Sequence, residues 1–134
     1  MKIDHIAIVV ADLEATLAIY TQSLGFEQIY RERIADQGVE AVGLQAGEST
    51  IELLRPLDES SPIARFRGEA ASKLHHTAYR VDDLVAEIAV LQARGIRMID
   101  ERPRKGAHGN LIAFIHPAST AGVLVELCQQ EHRA

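Results

Sequence analysis

The sequence predicts an α+β fold in which two β-α-β-β-β modules, approximately residues 1–56 and 74–128, pack into one domain of 134 residues. Two observations lead there. The run His5-Ile6-Ala7-Ile8-Val9-Val10-Ala11-Asp12-Leu13 returns as His76-Thr77-Ala78-Tyr79-Arg80-Val81-Asp82-Asp83-Leu84, with His, Ala, Val, Asp and Leu at a constant offset of 71 residues. A second echo sets Thr50-Ile51-Glu52-Leu53-Leu54 against Leu124-Val125-Glu126-Leu127-Cys128, at an offset of 74. Repetition of this kind exposes architecture before any single motif does. Each copy is too small to cover its own apolar face, so four strands from each are expected to curl around a shared concave surface.

The elements follow in order. Ile3 to Val10 is β-branched and apolar and reads as a buried strand. Asp12 caps the helix after it, because its carboxylate accepts N–H groups that the first turn leaves unbonded. Leu13, Leu17, Tyr20 and Leu24 fall on one helical stripe, and Gly25 supplies the left-handed stop. Glu27 to Ile34, Val39 to Ala46 and Ser49 to Leu54 read as strands, separated by turns at Asp36-Gln37-Gly38 and Gly47-Glu48. Pro62 opens a short helical turn over Ile63 to Phe66, and Glu69 to Lys73 is a polar link. The order then repeats: strand Leu74 to Val81, a helix capped by Asp83 with Leu84, Ile88 and Leu91 inward, and a stop at Gly95. Ile96 to Ile99 reads as a short strand, Arg102 to Gly109 as a polar loop, and Leu111 to Ile115 and Gly122 to Leu127 as the last strands. The tail from Gln129, with His132, reads as frayed.

Composition narrows the function. Hydrophobic residues make up 47% and charged residues 25%, an ordinary soluble balance. A net charge of −5 without a basic run argues against nucleic acid. So does the lack of Trp beside three Tyr and three Phe, which leaves no stacking platform. One cysteine, Cys128, forbids an internal disulfide and suits a reducing compartment. With neither a signal-like start nor an apolar run near the ~20 residues of a membrane span, a cytoplasmic location is expected.

The duplicated positions carry the chemistry. Alone, a His in an apolar strand is usually a hydrogen-bonded core residue. A Glu between Ile51 and Leu53 can simply face water, by strand alternation. Together, His5, Glu52, His76 and Glu126 recur as a pair of pairs, and two imidazoles with two carboxylates suit a divalent Zn, Co, Ni, Mn or Fe ion. His75 points to the other face from His76, and its counterpart in the first copy is Asp4, so it is read as a supporting residue. His108 and His116 lie in loops, and His116-Pro117 is read as a turn cap. Cys128 is read as a small buried hydrophobe.

With those four residues the chain resembles the vicinal-oxygen-chelate (glyoxalase/bleomycin-resistance/dioxygenase) superfamily. Within it, the methylmalonyl-CoA epimerase family is matched along nearly the full length. The closer match rests on Asp4 to Ala7, Ile51 to Leu57, Ser61 to Phe66, Leu74 to Ala78, Asp100 to Arg104 and His116 to Leu127. The resemblance implies a vicinal-oxygen-chelate domain, a homodimer, an acyl-CoA substrate and a divalent metal, cobalt first with Zn, Ni or Mn as substitutes. It also implies exchange of the C2 proton of methylmalonyl-CoA through a metal-stabilised enolate. One position departs from the pattern. Some family members place a basic Glu where this chain has Ala41, and carry Gln where it has Glu52. Glu40, one residue away, should face the other side. Glu52 and Glu126 are therefore expected to be both metal ligands and the two catalytic bases. Arg102, Arg104 and Lys105, with Arg55 and Arg65 behind them, are candidates for the CoA phosphates, and Ser119 and Thr120 for the substrate carboxylate. Two alternatives stand beside this reading: a glyoxalase-like metal-dependent lyase or isomerase, and a metal-free small-molecule-binding module.

Overall fold

The computed structural model describes residues 1–131, with His108 described by its backbone alone. The chain divides into two compact units, one formed by His5–His75 and the other by Met1–Asp4 with the chain from His76 onward. The α+β class is as expected, and both units repeat the strand-helix-strands order.

In the first unit, β1 (Lys2–Val10) leads through Asp12 into α1 (Leu13–Ala18). The Asp12 carboxylate accepts the Ala15 N–H at 3.0 Å, as the cap requires. The helix then widens into a π-helical turn over Ile19–Ser23, closed by Leu24 N–H donating to the Ile19 carbonyl at 3.0 Å. This i→i−5 bond rotates the chain off the 3.6-residue period. Leu24, expected on the inward stripe, is consequently 60% exposed, while Leu13 and Leu17 are buried. β2 (Glu27–Ile34), β3 (Val39–Ala46) and β4 (Ser49–Pro56) follow, in the order β2-β3-β4-β1. β4 runs parallel to β1, and β3 is antiparallel to both β2 and β4. One face packs on α1 through Val10, Leu13, Leu17, Val42, Leu44 and Leu53. Leu44 and Leu53 are fully buried, and each contributes about 1.5–3 kcal/mol by leaving water. On the other face Ala7, Val9, Ala41 and Leu54 meet Ile34 and two residues of α2 (Pro62–Arg67), Ile63 and Phe66.

In the second unit, β5 (Ser72–Arg80), β8 (Val125–Gln129), β7 (Leu111–Ile115) and β6 (Arg104–Lys105) lie in that order. α3 (Leu84–Ala93) starts where Asp83 accepts the Ala86 N–H at 3.1 Å. It buries Leu84 and Ile88 against Met98, Ile115 and Leu127 and stops before Gly95 at φ +85°.

The second unit departs from several expectations. Residues 96–99 do not form a strand: Met98 makes only an isolated bridge to Ile115. The fourth strand is β6, inside the stretch read as a loop. It pairs Arg104 with Ile112 and Lys105 with Leu111. A two-residue edge strand made of Arg and Lys leaves no hydrophobic alternation to read. The last strand also begins at Val125 rather than Gly122, because Ala121 and Gly122 turn at φ 54° and 91°. Gln129 is the end of β8, and its side-chain oxygen accepts the Leu84 N–H at 2.8 Å. His132 lies outside the described residues. Among the described residues, no helix is long and apolar enough to cross a membrane.

Candidate functional site

Strand pairing decides which side chains share a face. In the first unit Ala7 stands opposite Glu52 and His5 opposite Thr50. Partners on adjacent strands point the same way and the side-chain period is two, so His5 and Glu52 lie on one face. In the second unit Ala78 stands opposite Glu126, which puts His76 and Glu126 on one face by the same rule. The two registers are identical, so each unit presents one imidazole and one carboxylate in the same relation.

The second pair is deeply buried, His76 at 6% and Glu126 at 5% exposure. That removes the reading in which Glu126 faces water. The His76 Nε2 lies 3.9 Å from the Glu126 Oε1. This is too long for a hydrogen bond, but it is within the span of two donors on one cation with bonds of about 2.0–2.2 Å. The Phe114 ring stands edge-on to His76, with centroids 5.5 Å apart and planes at 89°, and holds the imidazole in place. His5 and Glu52 are half-buried. The Tyr30 hydroxyl donates to the Glu52 Oε2 at 2.6 Å. His5, His76 and Glu126 each offer a nitrogen or oxygen donor. In each unit the pair offers one nitrogen and one oxygen donor without thiolate, a donor type that suits a divalent cation.

The other sequence candidates make contacts of their own. Glu40 is turned away from Ala41 as expected. It accepts Arg31 Nε at 3.0 Å and Arg55 through Nε at 3.2 Å and a terminal nitrogen at 2.9 Å. Those two guanidiniums hold the Glu40 carboxyl below its usual range. Arg55 is therefore committed to an ion pair. Arg104 pairs through Nε with Asp100 at 3.1 Å and stands over the Phe114 ring at 5.4 Å, the ring that packs edge-on against His76. His75 packs against Phe66 at 4.9 Å, and burial pushes its imidazole pKa down. The His116 Nδ1 accepts the Ala118 N–H at 3.0 Å, the expected turn cap. Ser119 Oγ accepts the Arg97 N–H, and Thr120 Oγ1 donates to the Val123 carbonyl, so both hydroxyls tie the turn before β8. Cys128 is buried with Ala78 and Ile112, and burial pushes its thiol pKa up.

Sequence reasoning missed Tyr30 and Glu32. Tyr30 pairs with Gly43 and Glu32 with Ala41, which places both on the Glu52 face. A signal existed for Tyr30: an isolated glycine inside a strand pattern marks a bulge or a close approach.

A family model described as the Glyoxalase/Bleomycin resistance protein/Dioxygenase superfamily matches residues 4–114. The chain is 40% identical over 130 residues to the ethylmalonyl-CoA/methylmalonyl-CoA epimerase of Cereibacter sphaeroides, covering 96% of this chain and 97% of that one. The solved structure of methylmalonyl-CoA epimerase from Mycobacterium tuberculosis superimposes with a TM-score of 0.90 at 36% identity, covering 98% of this chain and 89% of that one. That of the Streptomyces coelicolor epimerase variant in complex with 2-nitronate-propionyl-CoA gives 0.88 at 34% identity, covering 97% and 94%.

Proposed function

We propose that the chain, which belongs to the glyoxalase/bleomycin resistance protein/dioxygenase superfamily and within it to the methylmalonyl-CoA epimerases, interconverts (2R)- and (2S)-methylmalonyl-CoA. The observation that carries this is the repeated register. The same imidazole–carboxylate pair stands on one face in each unit, inside a chain similar to epimerases along nearly its whole length.

The C2 hydrogen lies between a thioester and a carboxylate. Its removal moves the C–H electron pair toward the thioester oxygen. His5, Glu52, His76 and Glu126 would hold the divalent cation, with cobalt as the ion of choice. Bound there, it supplies a Lewis acid for the oxygens on which negative charge develops.

Glu126 and Glu52 are the two bases. One ionised carboxylate takes the proton from one side of C2, and the other, protonated, returns one from the opposite side. Each epimer therefore meets the opposite pair of protonation states. General acid–base catalysis of this kind contributes typically about 10²–10⁴-fold. The burial of Glu126 keeps competing water from that carboxylate, and Phe114 keeps His76 from swinging out of its place. A cytoplasmic homodimer is part of the same proposal.

The test is turnover of one epimer in D2O, followed by NMR. The expected result is deuterium at C2 of the product epimer from the first turnovers, since each carboxylate exchanges with solvent between encounters. Interconversion without deuterium in the product contradicts the two-base scheme. No interconversion at all contradicts the activity.

A further inference from the structure

We propose that Tyr30 is a positioning residue for Glu52, built into the fold by a bulge and a glycine. The inference rests on the proposed role of Glu52 as ligand and base. Three features of the first unit converge on it. The β2–β3 register shifts between Gln28 and Tyr30. Without that extra residue, Ile29 would stand opposite Gly43 and Tyr30 would face the other side. The bulge turns Tyr30 onto the Glu52 face, in the manner of bulges that re-aim side chains beside functional sites.

Gly43 then makes room. A Cβ there would lie 1.9 Å from the Tyr30 Cε2 and 2.2 Å from its Cζ. The ring therefore crosses β3 where a side chain would otherwise stand and reaches β4, since Gly43 is also the strand partner of Glu52. The reach ends in a 2.6 Å hydrogen bond to the Glu52 Oε2. The phenol thus fixes the plane of a carboxylate that is only half-buried and has a flexible stem. Partners of this kind orient metal-binding carboxylates, and their loss typically costs about 10–100-fold in metal affinity or activity.

The experiment compares the native chain with Tyr30→Phe, Glu52→Gln and the double variant. Co(II) affinity is measured by competition with a chelator, kcat and KM on methylmalonyl-CoA, and Tm by calorimetry. Tyr30→Phe keeps the ring in its seat and removes only the hydroxyl. It is expected to weaken Co(II) binding about 10–100-fold and to lower kcat while leaving KM and Tm near native. In the Glu52→Gln background the same change should alter Co(II) affinity less than about twofold, because non-additivity marks residues that act through each other. Gly43→Ala, which crowds the ring, is an independent check and should weaken Co(II) binding in the same direction.

Native Co(II) affinity and kcat in Tyr30→Phe overturn the proposal. So does an equal loss in the Glu52→Gln background, or native Co(II) affinity in Gly43→Ala. If Glu52→Gln itself binds Co(II) and turns over as the native chain does, the reading of Glu52 fails and this inference fails with it. If Glu52→Gln is impaired and Tyr30→Phe is not, only this inference fails.

Discussion

The two modules hold their glutamates differently. Around Glu52 the aromatic ring comes from two strands away, crosses above Gly43, and ends in a hydroxyl on the carboxylate. Around Glu126 the position equivalent to Gly43 is Phe114, which stands opposite Glu126 in the β7–β8 register and presses its edge on His76. The outer strand differs to match: β2 is eight residues long and delivers Tyr30, whereas β6 is two residues long and delivers Arg104 above Phe114. The repeat has kept the backbone register and divided the support. One module fixes its carboxylate by a hydrogen bond, and the other fixes its imidazole by packing and buries the pair.

That contrast is best broken at the carboxylates. Glu126→Gln should lower kcat about 10²–10⁴-fold, the range of a lost general base, while the chain stays folded because the side chain keeps its volume. Stopped-flow or NMR turnover with a parallel melting curve checks it. The next largest effect lies in the rings. Phe114→Ala removes a half-buried ring and should cost about 2–4 kcal/mol of stability, near the lower end of the Phe→Ala range. Urea titration checks it, and His76 should also show a broader imidazole resonance once its neighbour is gone. Gly43→Ala should cost about 1–3 kcal/mol by overpacking, even though it adds atoms where Phe114→Ala removes them.

A smaller effect sits on the reverse face of the first module, where Glu40 joins Arg31 and Arg55. The folded carboxyl titrates below its unfolded value because of those guanidiniums. Its contribution is therefore present above the unfolded pKa and lost as the pH falls through the folded one. Glu40→Gln should flatten stability between pH 5 and 3 by about 1 kcal/mol or less, as partly exposed pairs do. Cys128 should show the least change of all. Burial pushes its thiol pKa up, so iodoacetamide at neutral pH should leave the native chain unlabelled until it is unfolded.

Much of this was legible in the chain. Asp12 and Asp83 announced their helices because capping is local chemistry. The pairs His5/Glu52 and His76/Glu126 were legible because duplication repeats a register that neither copy reveals alone. The widened turn after α1 was not, since Leu24 satisfies the helical period in sequence and only an i→i−5 bond displaces it. β6 was hidden because edge pairing at Arg104 and Lys105 needs no apolar side chain. Tyr30 was hidden because its orientation depends on one extra residue at the β2–β3 pairing, a long-range property that no window on the sequence contains.

The proposed function requires His5, Glu52, His76 and Glu126 to hold one metal ion per chain. Titration of the metal-stripped chain with Co(II), followed by its visible absorption, tests it most directly when His5→Gln and His76→Gln are run alongside. One tight ion per chain is expected in the native protein, and loss of that binding in either variant. Two ions per chain, or one variant that keeps native binding, would contradict it.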